Sequence, residues 1–264
     1  MKAIRLLGLL SVTMAMPLVY AGGPDVPSQI HFTKHALSLR AFDQLNVSGY
    51  FDVVIKGLRP GARPSASVAT YSVEPLQVRI VDHTLYVKGP WQRPLPSLKK
   101  RPVLIVRINS LKKITVAGPT NVTARNLRGQ GVDIYASGFG KINLLGVLNI
   151  DHIKQSGSNQ ITVRWVKSDT VYINSTGAGS IRLAGTARAL YARVLGHSTL
   201  HAAYLRTHYV QVQATDQAVA YVCPVDTLRA FASNFGNIYY YKYPKNMTLD
   251  TEQSGNVLQM AWHN

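Results

Sequence analysis

Ile134-Tyr135-Ala136-Ser137-Gly138-Phe139-Gly140-Lys141-Ile142, Ile153-Lys154-Gln155-Ser156-Gly157-Ser158-Asn159-Gln160-Ile161 and Ile173-Asn174-Ser175-Thr176-Gly177-Ala178-Gly179-Ser180-Ile181 are three copies of one phrase. Each places isoleucine four positions before and four positions after a central glycine. Weaker copies centre on Gly118, Gly196, Asp216, Asn234 and Gly255, with steps of 20, 19, 20, 19, 20, 18 and 21 residues from Gly118 onward. So regular a spacing marks a repeat architecture. Asp and Asn replace glycine at two centres, and these are the residue types that tolerate positive φ, so the centre is a turn.

On either side of the turn the pattern alternates with period two, as strands do. Four positions before the centre come Ile134, Ile153, Ile173, Ala192, Val212 and Ala230; four after it come Ile142, Ile161, Ile181, Leu200, Ala220 and Ile238; six after it come Leu144, Val163, Leu183, Ala202, Val222 and Tyr240. These rows point inward. A leucine-rich horseshoe would need Leu at fixed places, an Asn ladder and a helical return. Val, Ile, Thr and Tyr dominate instead, and no sustained 3.6 period occurs. The expected fold is all-β, a right-handed parallel β-helix with coils of about 20 residues.

The expected organisation is a signal peptide at 1–21, a flexible leader at 22–36, one β-helix domain at 37–257 and a C-terminal tail at 258–264. Lys2 and Arg5 precede an apolar run, and Val19-Tyr20-Ala21 resembles a cleavage site. Leu45 to Val53 repeats the coil pattern about Gly49, and strand-like runs follow at Leu76 to Val81, Thr84 to Val87 and Val103 to Ile108. The segment 89–102, with Pro90, Pro94, Pro96, Pro102 and the basic cluster Lys99-Lys100-Arg101, reads as a surface loop.

Val47-Ser48-Gly49-Tyr50-Phe51-Asp52-Val53, the strand Leu85-Tyr86-Val87 before a variable insert, and the Ser-Gly-x-Gly-x-Ile coils ending in Gly140-Lys141-Ile142-Asn143 together resemble the bacterial family described as putative auto-transporter adhesin, head GIN domain, over residues 40 to 257. The resemblance implies an exported, parallel β-helical protein with no established activity. The chain departs from the commoner pattern of that family in its basicity, and in having Gly22 rather than a lipoprotein cysteine after Ala21.

The chain has 264 residues with 29 Lys+Arg against 12 Asp+Glu, a formal charge of +17. Loss of residues 1–21 would take away Lys2 and Arg5 and leave +15. The lone Cys223 closes no intramolecular disulfide, and no CxxC pair exists for zinc. Past the signal no apolar stretch approaches the ~20 residues of a membrane helix. Gly138-Phe139-Gly140-Lys141 lacks the upstream glycine and the hydroxyl of a P-loop, and no Gly-x-Ser-x-Gly is present. His197 and His201 have a metal-like spacing on what reads as a turn and strand, with no acidic ligand beside them. Asp133, Asp151 and Asp169 drift against the coil centres rather than stack. No cofactor, metal or catalytic residue is therefore expected.

Alternation leaves two rows facing outward before each turn. Five positions before the centre stand Asp133, His152, Tyr172, Tyr191, Gln211 and Arg229, and three before it Tyr135, Lys154, Asn174, Arg193, Gln213 and Phe231. A third row, five after the centre, runs Asn143, Thr162, Arg182, His201, Tyr221 and Tyr239. From these the candidate binding residues are Tyr135, Lys154, Tyr172, Asn174, Tyr191, Arg193, Gln213, Arg229, Phe231, Arg182, Tyr221 and Tyr239. Rings that stack on sugars, amides that bond hydroxyls and cations that pair with carboxylate or phosphate suit an anionic polysaccharide or lipopolysaccharide. The same residue types also suit any solvent-facing strand.

Nucleic acid is the generic partner of a basic chain, but no recognition motif is present and export argues against it. The readings in competition are a non-catalytic exported binder, adhesin-like or envelope-associated; a β-helical polysaccharide lyase or hydrolase; and a structural envelope protein forming homo-oligomers through coil ends. The expected location is periplasmic, outer-membrane-associated or extracellular. Sequons at Asn46, Asn121, Asn174 and Asn246 matter only in a eukaryotic host.

Overall fold

Eighteen strands and no helix make up the protein as described by a computed structural model at residues 33–37, 42–59, 62, 65–70, 76–91 and 101–261. The expected signal peptide, most of the expected leader, residues 92–100 of the proline-rich loop and residues 262–264 lie outside the described residues. β1 (Thr33–Leu37) overlaps the end of the expected leader, and β18 (Asn256–Gln259) crosses the expected boundary at 257.

From β8 (Lys113–Gly118) onward the chain is a parallel β-solenoid. β10 (Gly129–Gly138) pairs with β8 and with β11 (Lys141–Gly157), and β11 pairs with β9 (Asn121–Arg125). The long strands β11, β12 (Gln160–Ser175), β13 (Ser180–Val194), β14 (Thr199–Ala214) and β15 (Val219–Ala232) then pair in sequence, all parallel. A straight strand of 17 residues would be about 56 Å long, so each must bend to close a coil. The bends fall where the register shifts, between Leu145 and Leu148, between Val163 and Val166, and between Arg182 and Ala184. Gly146 (φ 155°), Trp165 (φ 69°) and Gly185 (φ 134°) occupy these corners.

The turn centres bear out the sequence reading with one correction. Gly118, Gly138, Gly157, Gly177 and Gly196 have positive φ, as do Asp216 and Asn234, but the last centre is Gln253 (φ 55°) and not Gly255, one 19-residue step beyond Asn234. Glycine serves here for close stacking as well as for φ. A Cβ on Gly157 would lie 2.5 Å from the Gly138 carbonyl oxygen, and one on Gly177 would lie 2.7 Å from that of Gly157.

The inward rows are the core. None of the residues named four before, four after and six after the centre is more than 6 % exposed. Each Ile, Leu or Val so buried contributes roughly 1.5–3 kcal/mol relative to exposure. Polar groups enter this interior only when paired. Buried Asn159 accepts from the Gly140 N–H at 3.1 Å and donates to the Ser156 carbonyl at 2.9 Å; its own carbonyl accepts from Gln155 Nε2 at 3.0 Å. Ser175 Oγ donates to Gln155 Oε1 at 3.3 Å. Asn159→Ala strands the Gly140 N–H and the Ser156 carbonyl and is expected to cost about 2 kcal/mol in urea unfolding. Cys223 is buried, and burial pushes its thiol pKa up. The native protein should therefore react with a maleimide only after unfolding.

The first coils do not stack in sequence order. β2 (Gln44–Ser48) lies between β6 (Thr84–Lys88) and β8, and β3 (Asp52–Gly57) lies between β7 (Val103–Ile108) and β9. The β6–β7 coil is thus the outer one. It is covered by antiparallel strands: β4 (Ser65–Thr70) on β7, β1 on β4, and β5 (Gln77–Val81) on β6. The β5–β6 hairpin turns at Asp82 and His83, both at positive φ, as a tight hairpin requires. At the other end β16 (Asn237–Tyr240) and β17 (Asn246–Thr251) follow β15, and β18 pairs with β16.

Candidate binding groove

The outward rows hold register from coil to coil. Asp133 pairs with His152, His152 with Tyr172, Tyr172 with Tyr191, Tyr191 with Gln211 and Gln211 with Arg229; beside them run Tyr135, Lys154, Asn174, Arg193, Gln213 and Phe231. All of these except Asp133 line a groove of about 940 Å³. Nine of the twelve candidate residues meet there. Arg182, Tyr221 and Tyr239 lie across the turn and do not line it.

Coils about 4.8 Å apart bring rings at one offset into contact. His152 and Tyr172 stack at 5.2 Å between centroids, Tyr172 and Tyr191 at 5.2 Å, and Tyr191 meets Tyr209, tilted, at 5.6 Å. Both faces of Tyr172 are therefore covered by neighbours. The expectation that this ring stacks on a sugar face does not hold; Tyr172 offers its edge and hydroxyl to the groove. The ladder's start is anchored by His152 Nδ1 on Asp133 Oδ1 at 2.9 Å.

The cations follow a simple alternation. Lys154, Arg193 and Arg229 stand on every second coil, with Asn174 and Gln213 on the coils between. Successive cations are thus on the order of 9.6 Å apart along the axis. Sequence reasoning missed Tyr209, Thr248 and Asp250. Thr248 pairs with Arg229 and Asp250 with Phe231, so they continue the two rows by one coil. The rows read from the sequence stop at the Asn234 coil; the Gln253 centre carries them on to Thr248, five before it, and Asp250, three before it.

Across the turn a second ladder stacks His201 on Tyr221 at 5.2 Å and Tyr221 on Tyr239 at 5.1 Å. Burial, then the nearby Arg182, lowers the pKa of His201, which favours the neutral ring. Arg101 of the basic loop is held by Asp52 at 3.2 Å and lies 4.1 Å over the Tyr50 ring. Of Tyr239 to Tyr243, Tyr240 is buried and Tyr243 exposed. Among the described residues no cluster of His, Cys, Asp and Glu could hold a metal ion, and no helix is long and apolar enough to cross a membrane.

The family model for putative auto-transporter adhesin, head GIN domain, matches residues 41–244. The chain belongs to this family. Membership implies an exported protein. Several solved structures share the fold. A putative adhesin from Bacteroides fragilis superposes with a TM-score of 0.65 at 18% identity, over 87% of this chain and 97% of its own. A putative lipid binding protein from Parabacteroides distasonis gives 0.74 at 16% identity, over 86% and 96%, and a putative adhesin from the same species 0.70 at 20%, over 87% and 97%. No curated protein matches the head GIN chain.

Proposed function

We propose that the protein is an exported, non-catalytic binder that takes an extended anionic polymer, an acidic glycan or the phosphorylated sugars of lipopolysaccharide, along the groove before the turns. The observation that carries this reading is the cation on every second coil, with amides between. A flexible polyanion laid along the axis can pair its charges with Lys154, Arg193 and Arg229, and hydroxyls of the intervening units can bond Asn174, Gln211 and Gln213. The edges and hydroxyls of Tyr172 and Tyr191 add hydrogen bonds and apolar contact. Export through a signal peptide cleaved near Ala21 fits such a ligand.

The carboxylates of the two rows argue against glycoside hydrolysis there, since only Asp250 lines the groove. Asp133 and Asp250 stand six coils apart, about 29 Å at the coil rise, whereas hydrolysis uses a pair about 5–9.5 Å apart. The expected result is retention on immobilised heparin that falls steeply with salt. The Arg193→Ala, Tyr191→Ala double variant should elute at clearly lower salt. Unchanged elution would reject the groove.

A further inference from the structure

The groove does not use the aromatic corner on another side of the solenoid. Gly146 and Gly185 take positive φ at this corner, and on the coil between them the same role falls to Trp165, at φ 69°. A bulky residue in the left-handed region is a true outlier, held only where the surroundings enforce it. Its side chain is 68% exposed, so core packing does not account for tryptophan here. Val147, one coil before, is 60% exposed, and Tyr204, two coils after, is 74% exposed. The intervening coil has Ala184 and Gly185, so the rings flank a hollow of about 590 Å³ floored by small residues. None of its residues lines the groove.

The corner is also cationic. Arg164 and Lys167 border the hollow, and Lys167, Thr186 and Arg206 share one row across successive coils. All three cations are exposed. Of the neighbouring carboxylates, Asp169 is paired with Arg188 by two contacts of 2.6 Å, and Asp226, bonded to His208 at 2.6 Å, sets one negative charge against the three cations. Positive charge therefore dominates beside the exposed rings.

We infer that this corner docks on the surface of an anionic lipid bilayer, with Trp165, Tyr204 and Val147 entering the headgroup region and Arg164, Lys167 and Arg206 on lipid phosphates. Tryptophan and tyrosine favour that interface because one end of the ring is apolar and the other polar. Basic residues beside them supply the attraction to anionic lipid. The site lies off the groove, so a chain docked this way keeps the groove open to a polymer.

The test is co-sedimentation of the full chain with vesicles of equal phosphatidylglycerol and phosphatidylcholine, and with phosphatidylcholine alone. Binding to the anionic vesicles is expected, and little to the neutral ones. Trp165→Gly should lower it by roughly tenfold or more, from the lost ring burial, and Arg164→Ala with Lys167→Ala by roughly thirtyfold. Trp165→Gly should keep the wild-type melting temperature or exceed it, since glycine suits φ 69°, and should keep heparin retention. The groove double variant should still bind vesicles. Absence of vesicle binding by the wild type, or binding indifferent to Trp165→Gly and Tyr204→Ser, would overturn the inference. A concentration-dependent dimer abolished by Trp165→Gly would overturn it too, by assigning the corner to a second copy of the chain.

Discussion

Gly157→Val is expected to destabilise the protein by on the order of 3 kcal/mol. About 1–2 kcal/mol comes from placing an L-residue in the left-handed region, and the remainder from overpacking. Gly157 has φ 87°. Its new Cβ would meet the Gly138 backbone, with the oxygen at 2.5 Å and the nitrogen at 3.0 Å. Backbone cannot swing aside as a side chain can, so the coils must separate or the turn must refold. In a solenoid each coil is stabilised by its neighbours, and a break in the middle weakens both sides. For a chain of this size the melting temperature should fall by roughly 6–12 °C. Asn234→Gly, at a turn centre already filled by a non-glycine residue with φ 55°, should change it little. Equal effects at the two positions would refute the glycine ladder as a stacking device.

The second large effect concerns binding. Replacing Lys154, Arg193 and Arg229 together by alanine should weaken binding to heparin by two to three orders of magnitude at low salt. Each charge-assisted contact contributes about 1.5–3 kcal/mol when well formed, and much less where solvent screens it. The slope of log affinity against log salt should fall by roughly three, because three fewer polymer charges are neutralised and fewer counterions released. Removing Arg125, Arg128 and Lys141, which do not line the groove, should leave most of that slope intact. Equal losses from both triples would mean that net charge alone binds the polymer.

The inward and outward rows were legible because a coil of nearly constant length converts sequence offset into stacked position, as Ile134, Ile153 and Ile173 show. Three features were not. The coil about Gly49 uses the same strand grammar as its neighbours, so nothing in Leu45 to Val53 says that it lies between β6–β7 and β8–β9. Gly255 drew the last turn centre two residues past Gln253, because residue type favours glycine while the hydrogen-bonded register favours Gln253. That shift puts Asp250 in the row of Arg229, where the register places Thr248. The corner at Trp165 was also hidden, since tryptophan gives no local signal of positive φ; only its position between Gly146 and Gly185 reveals it. Alternation told which way Tyr172 points, but not that both its faces are covered.

The most direct test of the groove assignment is a titration of the ¹⁵N-labelled protein with a size-defined acidic heparin hexasaccharide, followed by amide and arginine side-chain shifts. The expected perturbations run along one line, from Lys154 through Asn174, Arg193 and Gln213 to Arg229, with the far side of the turn at Arg182, His201 and Tyr221 unmoved. Perturbations centred on Arg182 and His201, or spread evenly over the basic surface, would contradict it.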